Sequence, residues 1–284
     1  MQYRILGKTG LKVSAVGFGG IPIQRIDERG TRALMERLVE KGVNYIDTAR
    51  GYTVSESYLG EALSGGLREK FILATKSMSR GYADMARDIG ISLSNLRTDY
   101  IDLYQLHNIK SDADFELAFS AEGAVAAIQD AIRAGKVGHL GATAHSVDSF
   151  ERLLSYPEIE TIMFPYNIVE SQGEALMERA AAQNVGVIAM KPLAGGNITD
   201  GTLAMRYILQ NKTCTLAIPG MATLEEIEQN TAAAEQDGPL TPEELAACEA
   251  IRAGLSGNFC RRCGYCAPCT VGIDIPGIFT LENY

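Results

Sequence analysis

Four residues of types that carry out proton transfer follow short apolar runs in the first half of the chain. Asp47 ends the run Tyr45-Ile46-Asp47, and Tyr52 follows five residues later in a glycine-containing turn. Lys76 ends a second run, and His107 ends a third. Short apolar runs bounded by turn residues are typical of buried strands. If the three strands are parallel, their carboxyl ends bring the four side chains into one pocket.

Each of these side chains, taken singly, has an ordinary structural explanation. Asp47 fits a helix cap or a polar strand end, and Tyr52 fits a surface or packing position. His107 fits a structural histidine with satisfied ring nitrogens. Lys76 is the unusual member, because lysine is rarely buried without a partner. The interpretation as one pocket therefore depends on how the strands are arranged.

Strand and helix patterns alternate eight times after an opening hairpin at Tyr3–Ser14. The predicted strands are Ala15–Phe18, Tyr45–Asp47, Phe71–Lys76, Ile101–His107, His139–Thr143, Ile162–Tyr166, Gly186–Lys191 and Thr215–Ile218. The predicted helices are Arg29–Lys41, Ser55–Leu63, Ala83–Leu96, Gly123–Ala134, Val147–Ser155, Gly173–Gln183, Gly201–Gln210 and Pro242–Ala253, with a short additional helix at Leu224–Ala234.

Eight alternations without a break in composition favour one closed barrel, for which 284 residues suffice. An open doubly wound sheet is the alternative, but no Gly-x-Gly-x-x-Gly follows the first strand. We therefore predict an α/β fold, a (β/α)8 TIM barrel with an N-terminal β-hairpin and a C-terminal Cys-rich extension. In such barrels the functional residues lie at the carboxyl ends of the strands, where Asp47, Lys76 and His107 are predicted.

Composition restricts the setting and the partners. Hydrophobic residues make up 46% of the chain, yet no run approaches the roughly 20 apolar residues of a membrane span. The formal charge of −9 argues against a nucleic-acid surface. The opening residues Met1–Arg4 do not read as a signal peptide. We expect a cytoplasmic protein with a small-molecule substrate and neither a nucleic-acid nor a membrane partner.

The motifs around the four residues resemble those of the aldo-keto reductases. Asp-Thr-Ala-x-x-Tyr runs from Asp47 to Tyr52, Thr-Lys ends at Lys76, and Leu-His ends at His107. The strand from Tyr100 to His107 is also typical of that family. The resemblance implies an oxidoreductase that uses NAD(P)H to reduce an aldehyde or ketone to an alcohol.

The resemblance covers residues 3–253 and assigns a role to each of the four side chains. Tyr52 is the implied proton donor, Lys76 lowers its pKa, Asp47 pairs with Lys76, and His107 binds the substrate oxygen. This assignment is physically consistent, because a free tyrosine has a pKa of about 10 and a neighbouring ammonium favours the phenolate.

A nicotinamide nucleotide across the barrel mouth is also implied, NADP(H) first and NAD(H) second. The chain departs from the family pattern at Ala144 and Met163, where the family has Asn and Gln. Glu226 stands where many members place an arginine for the 2′-phosphate, so a carboxylate there disfavours NADP(H). The residues implied to bind the nucleotide are Gly19, Thr143, His145, Tyr166, Asn167, Lys191, Pro192, Leu193, Gly195, Gly220, Gln229 and Asn230. The alternative for Tyr166 is that it fills the barrel mouth together with its neighbours.

A run of cysteines at every third position marks the end of the chain. Cys260, Cys263, Cys266 and Cys269 resemble a ferredoxin-type iron–sulfur run, although the last spacer is shorter. A subgroup of bacterial aldo-keto reductases has such a tail, so a single 4Fe-4S cluster on these four thiolates is the first interpretation. Structural zinc and a metal-free tail are the alternatives. We divide the chain into a reductase barrel, 1–256, and an iron–sulfur-like tail, 257–284.

Two functions from different classes fit these patterns. One is the carbonyl reductase with Tyr52 as acid. The other is an iron–sulfur redox sensor or electron-transfer protein on a reductase barrel, with a redox partner protein and little carbonyl turnover. The complete set of four residues favours the enzyme. Substrate selection would fall to loops at the barrel mouth, notably Lys110–Ala121 and Gly20–Glu28, and to the tail.

Overall fold

Eight parallel strands form the central sheet of the computed structural model, which describes residues 1–236, 238–255, 259–260, 269 and 271–282. The strands are β3 Phe18–Gly19, β4 Tyr45–Asp47, β5 Ile72–Ser77, β6 Ile101–Leu106, β7 Val137–Thr143, β8 Thr161–Pro165, β9 Gly186–Met190 and β10 Leu216–Ala217. Each strand pairs with its neighbours in chain order. Parallel bridges from Val16 to Ala217 and from Gly19 to Gly220 join the first strand to the last. The predicted (β/α)8 barrel is confirmed.

Helices follow every strand of the barrel. They are α1 Glu28–Glu40, α2 Ser55–Ala62, α3 Tyr82–Asn95, α4 Asp112–Ala118, α5 Ala124–Arg133, α6 Val147–Leu153, α7 Glu174–Ala182, α8 Gly201–Gln210, α9 Leu224–Ala232, α10 Pro242–Leu255 and α11 Ile275–Glu282. Short 3-10 helices lie at Gly7–Thr9, Pro22–Arg25, Arg68–Lys70, Ala194–Gly196 and Ala233–Glu235. None of the described helices is long and apolar enough to cross a membrane.

Side chains alternate between two apolar layers along the strands. Tyr45 and Leu103 belong to the cluster inside the barrel, whereas Ile46 and Tyr104 pack in the layer between strands and helices. Successive residues of a strand face opposite sides. The same alternation turns Asp47 inward at the carboxyl end of β4, so the period of the strand itself delivers this acid into the barrel.

The N-terminal hairpin closes the opposite end of the barrel. Strands β1 Tyr3–Ile5 and β2 Lys12–Ser14 pair antiparallel, as predicted. Leu6 is fully buried and packs in the interior cluster. Gly7 has a φ of 52°, and a Cβ there would lie 2.2 Å from the backbone nitrogen of Gly186. The close approach requires glycine and seals the barrel floor.

Two local predictions were wrong, and one helix was missed. The segment Lys110–Ala121 is not a plain loop, because it contains α4, whose N-terminus carries a capping box of Ser111 and Asp114. The first strand is Phe18–Gly19 rather than Ala15–Phe18. The residues before Phe18 join the last strand through an isolated bridge, Val16 to Ala217, rather than through a continuous ladder of hydrogen bonds. Helix α11 near the end of the chain was not predicted, since its Pro and Gly argue against a helix.

Candidate active site

A cavity of about 380 Å³ opens at the carboxyl ends of the barrel strands. Asp47, Tyr52, Lys76 and His107 all line it. Asp47 ends β4, Lys76 is the last but one residue of β5, and His107 directly follows β6. Tyr52 lies on the turn between β4 and α2. The four residues that the sequence analysis selected are therefore brought together.

Lys76 and Asp47 form a buried ion pair at the base of this cavity. Their relative exposures are 1% and 2%, and Lys76 Nζ donates to Asp47 Oδ2 and to the carbonyl oxygen of Thr48, the latter at 2.8 Å. Gln105 Nε2 donates to the other oxygen of Asp47 at 3.1 Å. Burial raises the pKa of Asp47, while Lys76 opposes that rise. Burial acts to lower the pKa of Lys76, but Asp47 and Tyr52 outweigh it and raise that pKa above its ordinary value.

Tyr52 lies against this pair and against the histidine. Tyr52 is one of the two groups that raise the pKa of Lys76, and Lys76 Nζ lies 4.8 Å from the centroid of its ring. The rings of Tyr52 and His107 meet edge to face, with centroids 5.9 Å apart. The backbone N–H of Tyr52 donates to the carbonyl of Ala49 at 3.0 Å, which fixes the turn that carries the phenol.

His107 is a neutral imidazole at physiological pH. Burial, followed by the positive charge of Lys76 and the neighbouring His145 and Arg80, lowers its pKa to about 2. Nδ1 is buried and has no hydrogen-bond partner among the described residues. Arg80 also donates to the carbonyl of His107 at 2.8 Å, so the guanidinium positions the residue and adds to the effect of burial and Lys76 on its pKa.

Most of the residues predicted to bind a nucleotide line the same cavity. These are Gly19, Thr143, His145, Lys191, Pro192, Leu193, Gly195 and Gly220. Thr143 accepts a hydrogen bond from the backbone N–H of Asn108 at 2.6 Å, which leaves its hydroxyl hydrogen to donate elsewhere. Lys191 begins the loop after β9 with a φ of 54°. The cavity is thus lined both by the acid–base residues and by most of the residues predicted to bind the nucleotide.

Tyr166 and Asn167 lie outside the lining of this cavity. The hydroxyl of Tyr166 donates to Glu174 at 2.8 Å, and its ring packs near Tyr207. The amide of Asn167 donates to the carbonyl of Lys191 at 3.0 Å. These contacts favour a packing role for Tyr166, although outside the cavity lining rather than filling the barrel mouth as the alternative had it. They give Asn167 the role of fixing the loop that starts at Lys191. Their direct contact with a nucleotide stays a prediction.

Gln229 and Asn230 also lie apart from the cavity, on α9. The main-chain carbonyl of Gln229 accepts from Thr202 at 2.9 Å. Asn230 is 1% exposed, and its Oδ1 has no hydrogen-bond partner among the described residues. Their assignment to the nucleotide likewise stays a prediction.

Two polar side chains of the site were not selected from the sequence. Gln105 lies two positions before His107 on β6, and a period of two places both on the inner face, so the signal was present. Arg25 lines the cavity from the 3-10 helix Pro22–Arg25. No pattern in the sequence distinguished Arg25 from other surface arginines, because its position depends on how the loop after β3 folds.

Glu226 lines the cavity from the first turn of α9. Its carboxylate accepts hydrogen bonds from the backbone N–H groups of Ala222 at 2.6 Å and Thr223 at 3.1 Å. Together with the side chain of Thr223 it forms a capping box. The positive end of this helix is therefore already occupied by a carboxylate of the chain itself.

The cysteine cluster lies mostly outside the described residues. Cys263 and Cys266 fall there, while Cys260 and Cys269 are described as free thiols. Among the residues that the structure describes, no group of three or more His, Cys, Asp or Glu side chains could hold a metal ion. The metal assignment therefore stays a prediction.

The fold and the cavity define a barrel enzyme with acid–base groups at the carboxyl ends of its strands. Residues 15–202 match the Aldo/keto reductase family. The chain belongs to the aldo/keto reductase family and is an oxidoreductase.

Relatives and solved structures agree with this assignment. The chain is 28% identical to L-galactose dehydrogenase from Arabidopsis thaliana, over 88% of this chain and 94% of the relative. It resembles the holo form of aldo-keto reductase AKR11C1 from Bacillus halodurans with a TM-score of 0.77 and 26% identity, over 88% of this chain and 96% of that one. A putative aldo-keto reductase from Pseudomonas aeruginosa gives a TM-score of 0.73 and 30% identity, over 82% and 95% of the two chains.

Proposed function

We propose that the enzyme uses NADPH or NADH to reduce a small aldehyde or ketone to an alcohol, with Tyr52 as proton donor. The observation that carries this proposal is the contact between Tyr52 and the buried Lys76 ammonium, whose Nζ lies 4.8 Å from the centroid of the tyrosine ring, in a cavity that His107 also lines. Reduction of a carbonyl leaves an alkoxide oxygen that must take up a proton. A phenol beside an ammonium is suited to deliver it.

Burial strengthens the electrostatic effect of the Lys76 charge on the Tyr52 phenol. Because Lys76 is 1% exposed, little water screens its charge from the phenol. The ammonium stabilises the phenolate that remains after the proton has left. Asp47 keeps Lys76 charged, and the carbonyl of Thr48 fixes its direction. This chain of contacts supports proton transfer from Tyr52 Oη to the substrate oxygen.

His107 has the properties of a neutral hydrogen-bond donor. A neutral imidazole carries one N–H, and placing it on Nε2 leaves no buried donor unpaired, since Nδ1 has no partner among the described residues. We assign to Nε2–H the task of binding the substrate carbonyl oxygen. That hydrogen bond would hold the oxygen beside the Tyr52 hydroxyl, because the two rings are in edge-to-face contact.

The walls of the cavity fit a nicotinamide nucleotide. Gly196 has a φ of 96° and open space where a Cβ would stand, so its backbone can approach a ligand closely. Lys191 contributes a cation to the same wall, suited to a diphosphate, and Gly220 lies on the cavity lining too. Thr143 has a hydroxyl hydrogen to donate to a carboxamide. When bound, the nicotinamide supplies the hydride that becomes attached to the carbonyl carbon.

The substrate test compares Tyr52→Phe with a matched control, Tyr58→Phe. Tyr58 lies on α2 and is partly buried outside the cavity lining. We expect Tyr52→Phe to abolish carbonyl reduction and to retain nucleotide binding, while Tyr58→Phe keeps wild-type turnover. The substrates would include aliphatic and aromatic aldehydes, ketones, quinones and L-galactose, the last because of the relative's name. Undiminished turnover by Tyr52→Phe would refute its role as acid.

The tail, 257–284, is proposed to bind a 4Fe-4S cluster through Cys260, Cys263, Cys266 and Cys269, with zinc as the alternative. In support, backbone N–H groups of Val271 and Ile273 lower the pKa of Cys269, which favours the thiolate form that ligates metals. The proposal needs a reducing, cytoplasmic setting. Iron, labile sulfide and zinc would be measured after anaerobic purification, with Cys248→Ser as the control thiol. Absence of all three would refute it.

A further inference from the structure

A buried carboxylate lies behind the site, in the layer between strands and helices. Glu56, the second residue of α2, is 1% exposed. Its Oε1 accepts hydrogen bonds from Thr75 Oγ1 at 2.8 Å and Ser92 Oγ at 2.7 Å. Its Oε2 accepts from Arg50 Nη1 at 3.0 Å and Asn95 Nδ2 at 3.2 Å. An ionised carboxylate has about four acceptor positions, so Glu56 is fully satisfied.

Two of these partners adjoin the residues that carry out the proposed chemistry. Thr75 precedes Lys76 on β5 and faces the helices, because successive side chains of a strand face opposite sides. Arg50 lies two residues before Tyr52, and its backbone N–H donates to the carbonyl of Lys76 at 3.0 Å. Glu56 therefore contacts both the strand that carries Lys76 and the loop that carries Tyr52.

The Arg50 guanidinium has a second carboxylate on its other side. Arg50 Nε lies 3.8 Å from Asp88 Oδ1 on α3. The carboxylate of Asp88 in turn accepts a hydrogen bond from the Ser79 hydroxyl at 2.7 Å. Separating the partly buried guanidinium from Glu56 is unfavourable, because the buried carboxylate would remain without a compensating charge. The pairing therefore restricts rotation of the loop between β4 and α2.

We propose that Glu56 is a positioning residue: through Arg50 it holds the loop in the orientation that keeps Tyr52 beside Lys76. The inference rests on the proposed function, because that function makes Tyr52 the proton donor. A displacement of about 1 Å in a reacting group can lower turnover roughly 100-fold. Glu56 and Arg50 do not line the cavity, so their effect reaches the substrate only through Tyr52 and Lys76.

Three variants separate positioning from simple stability. In Glu56→Gln the amide oxygen can accept from Arg50, and the amide nitrogen can donate to the hydroxyl groups of Thr75 and Ser92, so this conservative variant keeps the contacts. Arg50→Met releases the loop and leaves Glu56 buried without its cation. The double variant Arg50→Met/Glu56→Gln removes that buried charge and still lacks the contact with the loop.

The first readouts are kcat, nucleotide affinity and stability in urea. We expect Glu56→Gln to retain most of the wild-type kcat. Arg50→Met and the double variant should lose kcat roughly 10- to 100-fold with unchanged nucleotide affinity. The double variant should nevertheless recover stability relative to Arg50→Met. If kcat recovers together with stability, the role of Glu56 is structural and the proposal is overturned.

The second readout, hydrogen exchange of backbone amides, needs no activity. The amides of Arg50 and Tyr52 are hydrogen-bonded in the wild-type loop, and their exchange should accelerate in the double variant. Unchanged exchange overturns the proposal. If exchange accelerates but the wild-type enzyme reduces no carbonyl, the positioning inference stands and the proposed function fails. Glu61→Gln is the control, because Glu61 is on the same helix and its pairing with Arg97 is solvent-exposed.

Discussion

At the scale of the residue, burial decides what each titratable group can do. Asp47, Lys76 and His107 lie within one cavity, yet burial and neighbouring charges act on them differently. Lys76 and Asp47 compensate each other as an ion pair. No carboxylate among the described residues pairs with His107, so burial and the charge of Lys76 hold it neutral. The cluster therefore combines one positive charge, placed beside Tyr52, with one uncharged hydrogen-bond donor.

The neutrality of His107 predicts how stability depends on pH. Its pKa is about 2 in the folded chain against 6.5 for the free side chain. Between these values the unfolded chain binds one proton more, so the free energy of unfolding falls as pH falls below about 6.5. His107→Asn removes this proton uptake. We expect the stability difference between wild type and variant to shift by about 2 kcal/mol from pH 6.5 to pH 4.5 in urea titrations. A constant difference would contradict a neutral His107.

The carboxylate of Glu226 predicts the choice of nucleotide. It lines the cavity and occupies the N–H groups at the start of α9, where a phosphate would otherwise bind. Glu226→Gln removes the negative charge and retains a side chain suited to the capping box. We expect the affinity for NADPH to rise roughly tenfold, about 1.4 kcal/mol, and that for NADH to change little in calorimetric titrations. Glu225→Gln is the control, since Glu225 is exposed in the same turn. Equal changes for both nucleotides would place the 2′-phosphate elsewhere.

At the scale of the element, hydrogen bonds at helix starts tie the loops of the barrel mouth to the site. Ser111 accepts from the backbone N–H of Asp114, and Asp114 accepts from the N–H groups of Lys110 and Ser111. Arg80 pairs with Asp114 and donates to the carbonyl of His107. The start of α4 is thereby connected to the residue that is proposed to bind the substrate oxygen.

The cap of α4 can be tested by Ser111→Ala. Loss of a serine at this position leaves a helix-start N–H without its partner and costs about 1 kcal/mol. We expect that loss in the free energy of unfolding. Ser120→Ala is a suitable control, because the hydroxyl of the exposed Ser120 donates to the carbonyl of Leu117 and caps no helix start. Equal stability of the two variants would mean that the capping box contributes nothing measurable to this helix.

The sequence predicted the secondary-structure elements and the inward-facing residues of the strands better than it predicted contacts between distant loops. Strand period and order placed Asp47, Lys76 and His107 at one end of the barrel, and the structure agrees. The spacing of Ser111 and Asp114 is that of a capping box and could have predicted α4. This helix was missed because the segment was treated as a loop. The surroundings of Asn230 depend on how α9 packs against α8, which no local pattern records.

At the scale of the whole molecule, stability and chemistry lie at opposite ends of the barrel. The interior cluster runs from Leu6 at the floor to Met163 and Met190 near the cavity. The hairpin that carries Leu6 makes long-range side-chain hydrogen bonds elsewhere, from Tyr3 to Gly42 and from Arg4 to Cys214 and Leu209. The floor can therefore be weakened without displacing the four polar side chains at the mouth.

This separation predicts the outcome of Leu6→Ala. Leu6 is fully buried against Gly186, so its truncation leaves a cavity and should cost about 2–5 kcal/mol of unfolding free energy. We expect urea unfolding to shift by that amount in a single transition, while kcat and KM of the folded enzyme stay at wild-type values. Ile5→Ala, at a position that is 57% exposed, should change stability by no more than about 0.5 kcal/mol. A parallel loss of kcat in Leu6→Ala would show that the floor of the barrel is coupled to the geometry of its mouth.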